Sequence, residues 1–202
     1  MGVTMSKTNS FAIILLGGVL AALPAFSQEG GRSDAAVQAF GSFVKTTTDH
    51  GVQQGATNSG GVLASYRFFF SDSQGVEVNY GYSLNTQTYG LAAGPLGVKS
   101  NQHEVTAAYV YRHALRHFTP FVEAGVGGLV FAPTDARGAS TQARAAFVYG
   151  GGADFNVTKR VFVRAEYRGL VYNSPTFDLT PALGADRVTH RAEPSIGFGY
   201  RF

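Results

Sequence analysis

The sequence predicts an all-β protein: an eight-stranded antiparallel up-and-down transmembrane β-barrel behind a cleaved N-terminal signal peptide. Three observations lead there. Apolar and polar residues alternate with a period of two in eight stretches. The connections between those stretches alternate between long and short. The polar face carries arginine and acid in near balance, with no lysine.

The first segment is an address. Residues 1–10 contain one cation, Lys7, and residues 11–23 form an apolar run bounded by Pro24. That run is too short to span a bilayer as a helix, which needs about 20 residues. Ala25 and Ser27 are the small residues of a cleavage site, so 1–27 is predicted as a signal peptide and 28–202 as one barrel domain.

Composition narrows the rest. Charged residues make up 14% of the 202-residue chain, 26 residues are Gly, and there is no Cys or Trp. Aromatics reach 13%, which excludes a disordered chain. The absence of Cys excludes a disulfide scaffold and a Cys-ligated metal. The pI near 9.2 rests on a net charge of +3 with no basic run, so no nucleic-acid partner is expected.

The eight stretches are 35–45, 60–70, 76–89, 102–112, 118–131, 143–155, 160–173 and 187–202. In the seventh, Val161, Val163, Ala165, Tyr167, Gly169 and Val171 share one parity, and Arg160, Phe162, Arg164, Glu166 and Arg168 the other. The first is the least regular, because Phe40 and Phe43 fall on opposite parities. Each is long enough for a tilted strand to cross a bilayer. Short turns are expected at 71–75, 113–117 and 156–159, and long loops at 46–59, 90–101, 132–142 and 174–186. An even barrel with tight turns on one rim requires this alternation, and it puts both termini on the tight-turn rim.

The inner face follows from charge. The polar parity carries Arg67, Arg112, Arg144, Arg164, Arg168, Arg191 and Arg201, against Glu77, Glu104, Glu123, Asp154, Glu166 and Glu193. Arginine suits buried, multidentate pairing, so these thirteen residues are predicted to form a structural ion-pair network filling the lumen. The apolar parity has His190 as its one expected ionisable exception. Its aromatics Phe68, Phe70, Tyr109, Tyr111, Phe155, Tyr200 and Phe202 gather near the tight turns like an interfacial girdle. A soluble lipocalin-like barrel or sandwich would have to expose many of these rings to water or enclose a large ligand. Gly125, Gly127, Gly150, Gly152, Gly197 and Gly199 fall on the inward parity and are expected to make room for neighbouring Arg and Glu side chains. The Gly125–Gly128 run lacks the third glycine of a dinucleotide-binding loop. Pro194 interrupts the last strand, so a bulge is expected there, or good pairing only from Ser195 onward.

The leader, the ending Ile196-Gly-Phe-Gly-Tyr-Arg-Phe202 and the internal Phe121-Val-Glu-Ala-Gly-Val-Gly-Gly128 resemble the small eight-stranded bacterial outer-membrane barrels, the OmpA/OmpX-like barrel domain. The resemblance implies the outer membrane of a Gram-negative-type bacterium and surrounding outer-membrane lipids. It also implies a monomer that meets periplasmic chaperones and the barrel assembly machinery during biogenesis. Phe198, Tyr200 and Phe202 match the C-terminal pattern that this machinery reads. The family's peptidoglycan-binding domain is not expected after this barrel, so a cell-wall-anchoring role is not implied.

Chemistry is weakly signalled. A lipid-modifying barrel enzyme needs a base and a nucleophile at the outer rim. His190 is followed by Arg191-Ala-Glu-Pro194, and Ser195 lies on the opposite parity, so the His-x-Ser arrangement of a lipid A deacylase is not matched. His113 and His117 fall in a turn and are not expected to bind metal. No catalytic residue, metal or cofactor is expected. The function expected is a non-enzymatic structural or surface-interaction barrel. The alternatives are a narrow gated pore and, less favoured, a lipid-modifying enzyme.

Overall fold

The computed structural model describes residues 32–49, 52–91, 94–135, 138–178 and 188–202. The predicted leader and the boundary after Ser27 lie outside these residues. Among the described residues there are ten strands: β1 (Ser33–Val44), β2 (Thr47–Asp49), β3 (Val52–Ala56), β4 (Ser59–Phe69), β5 (Gln74–Leu91), β6 (Gly94–Arg112), β7 (Phe118–Pro133), β8 (Gln142–Asn156), β9 (Val161–Asn173) and β10 (Val188–Arg201). Eight of them close into a ring in the order β5-β4-β1-β10-β9-β8-β7-β6, and the β5–β6 pairing completes it. All pairings are antiparallel. The described ends of the chain meet on the tight-turn rim, where the Phe202 N–H donates to the Ser33 carbonyl at 3.0 Å. Closure leaves no free edge along the barrel, so its backbone polar groups are paired within the wall, as a lipid environment demands.

The wall is inside-out relative to a soluble protein. Arg67, Glu77, Arg164, Arg168, Arg191 and Glu193 are at most 1% exposed, while Val37, Val126, Ile196 and Phe198 are about 60–70% exposed. On the outer face, aromatic contacts mark two levels. Phe70–Tyr109, Phe118–Phe155 and Tyr200–Phe202 lie by the tight turns, with centroids 5.2–6.4 Å apart. Toward the loops, Tyr80 and Tyr149 contact His103 and His190. From Tyr111 to His103 along β6 is about 20 Å of height, at ~3.3 Å per residue and ~40° tilt, comparable with the ~25 Å apolar band of such barrels. His190 is therefore not the outer face's one ionisable residue. His103 shares the Val105 parity and faces outward too, at the polar boundary rather than mid-bilayer.

Several expectations are corrected. The 90–101 segment is not a loop: β5 and β6 stay paired out to Leu91↔Gly94, because Tyr89 and Val98 continue the inward parity into a buried apolar cluster. The 46–59 segment holds β2 and β3, and β3 adds to the β5 extension from Gln53↔Gly90 to Ala56↔Gln87. Pro194 causes no bulge. β10 keeps one register with β1 on both sides of it, with pairs at Phe40↔Ser195 and Phe43↔Ala192 and a gap in the ladder between them. The missing proline N–H thus interrupts the ladder on the β1 side only, while Pro194↔Tyr167 continues the β9 side.

The opposing parities of Phe40 and Phe43 resolve simply. Phe40 turns inward over Gly61, and Phe43 turns outward against Gly41. The inward glycines answer mainly to backbone. A Cβ at Gly125 would collide with the Ala107 carbonyl and Ala108 Cα of the adjacent strand, a consequence of tight curvature. Gly150 is closer to the side-chain-room role, since its Cβ would meet Glu123 Oε1 at 3.1 Å as well as the Tyr167 carbonyl.

Val105 is half exposed on the outer wall between Tyr109 and His103. Val105→Arg is expected to cost roughly 2–4 kcal/mol in urea unfolding from phospholipid vesicles. Cost-free substitution would mean that this face does not meet hydrocarbon.

Candidate functional site

The inward parity builds three layers. The floor, beside the tight turns, is aromatic: Phe69, Phe121 and Phe162 are buried with Val110. Guanidinium groups lie over these rings. Arg112 Cζ is 3.4 Å from the Phe69 centroid, Arg67 Cζ is 3.8 Å from Phe121, and Arg201 Cζ is 5.2 Å from Phe162. Cation–π attraction in a desolvated place adds to the ion pairing above.

The middle layer is ionic and has two halves. In the lower half, Arg164 grips Asp154 in a bidentate pair, Nε–Oδ1 2.6 Å and Nη2–Oδ2 2.9 Å, and reaches Asp34 Oδ1 at 3.1 Å. Arg67 pairs with Glu77 through Nε and lies 3.4 Å from Glu166 and 3.7 Å from Glu123 through Nη2. Gln38 donates to Glu166 at 2.8 Å. In the upper half, Glu104 receives Arg168 and Arg191, each at 2.5 Å, and both arginines also pair with Glu193. Glu123 joins the halves, its Oε1 3.5 Å from Arg168 Nε and its Oε2 facing Arg67. All eight wall strands contribute charges to this layer, so it cross-braces the cylinder along directions that ladder hydrogen bonds do not cover.

Ten of the thirteen residues read from the sequence come together here. Arg112, Arg144 and Arg201 do not, and no ion pair from any of them to a carboxylate is present among the described residues. Arg112 donates to the Asp72 carbonyl at 3.0 Å, Arg144 to Gln142 at 3.1 Å and Arg201 to Asn156 at 3.3 Å. All three sit toward the rims, where partial solvation makes a neutral partner sufficient. The sequence reading missed Asp34, which lies one residue before the predicted start of the first strand. Its parity matches that of Gln38 and is the signal that could have found it.

Four central arginines thus face seven carboxylates: Asp34, Glu77, Glu104, Glu123, Asp154, Glu166 and Glu193. The expected near balance of charge does not hold at the centre. Ligand atoms of Glu77, Glu123 and Glu166 lie within 4.8 Å of one another. The cation on which they converge is the Arg67 guanidinium, which contacts all three.

The top layer is an apolar stopper that sequence reasoning did not anticipate. Tyr89, Val98, Leu129, Phe131, Val148, Leu170, Tyr172 and Phe177 are buried together. Seven of them occupy loop-side inward positions of the strands. Phe177 comes from the segment after β9, fully buried, with Phe131 edge-on at 6.5 Å. Phe177 and Asp178 have φ of 54° and 55°, so local strain is held by tertiary contacts. The Pro175 carbonyl accepts from Tyr89 at 2.7 Å and Gln54 at 2.9 Å, and Asp178 accepts from Ser140 and Gln142.

His190 Nε2 lies 2.9 Å from the Tyr149 hydroxyl on the outer face, whereas Ser195 donates inward to Gln38 at 3.1 Å. The wall separates them, so they form no base–nucleophile pair. His113 and His117 are exposed in the β6–β7 turn.

A family model described as the outer membrane protein beta-barrel domain matches residues 12–202. The chain belongs to this family. It lies in the outer membrane, spanning the lipid bilayer with its strands. Solved structures of similar fold include OprG from Pseudomonas aeruginosa, with a TM-score of 0.59 and 17% identity over 87% of this chain and 98% of that one. Neisserial surface protein A aligns with a TM-score of 0.61 and 14% identity over 87% of this chain and all of that one. Ail, the attachment invasion locus protein of Yersinia pestis, aligns at 0.52 and 18% over 86% of this chain and all of that one. At these identities the likeness is one of fold. Comparison with curated proteins finds no match.

Two predictions follow from the layers. Because carboxylates outnumber arginines at the centre, substitutions should be asymmetric. Arg67→Met, which strands several acids, is expected to cost roughly 3–5 kcal/mol in urea unfolding from detergent or lipid. Glu123→Gln, which removes one excess charge, should cost well under that or nothing. Equal losses would mean that these side chains are not packed as seen.

The hydrogen bond from Ser140, followed by that from Gln142, holds the exposed Asp178 carboxyl below its ordinary pKa. A depressed acid contributes stability above its unfolded pKa and loses it as pH falls through the folded value. Protection of the Ser140 and Thr176 amides against exchange, relative to their intrinsic rates, should therefore fall below about pH 4, and Asp178→Asn should remove that pH dependence.

Proposed function

We propose that this chain is a non-enzymatic integral outer-membrane barrel with a structural and surface-interaction role. It holds a closed cylinder in the bilayer and presents four loop regions to the exterior. The observation that carries this reading is the doubly sealed lumen. Four fully buried arginines are locked among carboxylates, and an apolar stopper that includes Phe177 lies above them. An eight-stranded cylinder has just enough interior for such filling. In this reading the thirteen lumen residues are structural: ten brace the centre, and Arg112, Arg144 and Arg201 close the rims.

The monomer is the expected form, since the outer wall meets lipid all round. The outward Phe198 and Tyr200, with the Tyr200–Phe202 ring contact, support recognition of the last strand by the barrel assembly machinery after chaperone delivery.

The rival reading is a narrow gated pore, and conductance separates the two. Refolded wild type in planar bilayers should carry no resolvable current, and neither should Phe177→Ala, because the ionic layer still blocks the path. Discrete openings in the wild type, or in Glu123→Ala and Arg164→Ala, would favour the pore.

A further inference from the structure

The lipid-facing wall has a charge pattern that a purely passive surface does not need. On the outward parity of the wall strands, Lys99, His103 and His190 lie toward the loop-side rim, as does Lys45, one residue past β1.

Lys45 and His190 share one facet. The Lys45 N–H donates to the His190 carbonyl at 2.8 Å, and the β1–β10 register sets the two residues directly opposite. Cross-strand partners of this kind have Cβ atoms about 5 Å apart, so both side chains can reach one small group. Thr189 Oγ bonds the Lys45 carbonyl at 3.0 Å and fixes the backbone there.

The third member is Tyr149. On the outer face of β9 its ring covers Gly169, where a Cβ would come within 2.5 Å of it, and its hydroxyl reaches His190 Nε2 at 2.9 Å. A Tyr149 hydroxyl donating to Nε2 would place the ring proton of His190 on Nδ1, the tautomer that can donate to a ligand. The site thus offers an ammonium and an imidazole N–H at the edge of the apolar wall. Phe43, Ala192 and Pro194 lie directly beneath on the lipid side.

We propose that Lys45, His190 and Tyr149 form a site for the phosphate of a lipid headgroup in the loop-side leaflet. Lys45 and His190 bind the phosphate, and Tyr149 is a positioning residue that sets the histidine tautomer. A lipid suits the site better than a free anion, because the donors stand at the boundary where headgroups lie and the wall below accepts acyl chain. The Lys99–His103 side is the poorer candidate, since the Asp135 carboxylate accepts from the Lys99 N–H at 3.0 Å and places an anion beside it.

The test is lipid retention by native mass spectrometry, using the full barrel released from nanodiscs of phosphatidylcholine with one part in five phosphatidic acid. Wild type should keep phosphatidic acid in preference to phosphatidylcholine, Lys45→Gln should lower that preference about fivefold, the scale of one cationic contact at an anionic surface, and His190→Asn should lower it as well. Lys99→Gln should leave it unchanged. Tyr149→Phe should lower it without removing any charge, a result that simple surface attraction would not give. Heat-modifiable gel migration checks folding, and Lys45→Gln carries the test if His190→Asn fails to fold. Equal retention by wild type and Lys45→Gln, or an equal loss in Lys99→Gln, would overturn the site. Full displacement of the lipid by millimolar inorganic phosphate would overturn the lipid as occupant.

Discussion

The constraint on which the structure depends is desolvation of arginine inside a closed cylinder. A guanidinium cannot be left unpaired in a place without water, and eight strands leave little room for water. Each central arginine is therefore surrounded by acids from several strands. Arg164 is the clearest case: it sits on β9, is held by Asp154 of β8, and crosses the lumen to Asp34 of β1. The inward glycines serve the same geometry, because the curvature that closes eight strands brings neighbouring backbone into the space a Cβ would take.

Layering follows from where water can return. At the rims, Arg112, Arg144 and Arg201 need only carbonyl or amide partners. At the centre, acids exceed arginines, so the arginines are the keystones and the acids are individually more dispensable. Above the ionic layer the interior turns apolar, and the chain closes the end of the cylinder with its own Phe177. The same economy shows at Pro194. A proline in a closed barrel has no edge strand to excuse it, yet here it removes rungs on one side only while the β9 ladder and the β1 register hold.

Much of this was legible in the residues. Period-two alternation identified the eight wall strands, and the Arg-for-Lys choice on the polar parity identified the lumen. What escaped had physical causes. Asp34 lay just outside a boundary that alternation places only to within a residue or two. The 90–101 segment looked like a loop because Gly and Pro crowd it, but Tyr89 and Val98 gain burial only once the stopper exists, which is a tertiary effect that local patterning does not carry. The stopper itself was hidden because Leu129, Phe131, Leu170 and Tyr172 share a parity with charged residues, and the eye reads that parity as polar throughout. His103 was overlooked for the converse reason: it lies on the greasy parity, and its boundary depth appears only when the strands are set side by side.

The stopper has a consequence for the exterior. The segment carrying Phe177 is tied to Gln54 of β3 and Tyr89 of β5 through the Pro175 carbonyl, and to Ser140 and Gln142 through Asp178. Four regions of the loop side are thereby joined to one another and, through Phe131 and Tyr172, to the filled interior. A partner that engages these described parts of the cap meets a surface whose shape is set from inside the cylinder. The same burial that fills the loop-side end of the cylinder therefore preorganises what is displayed above it.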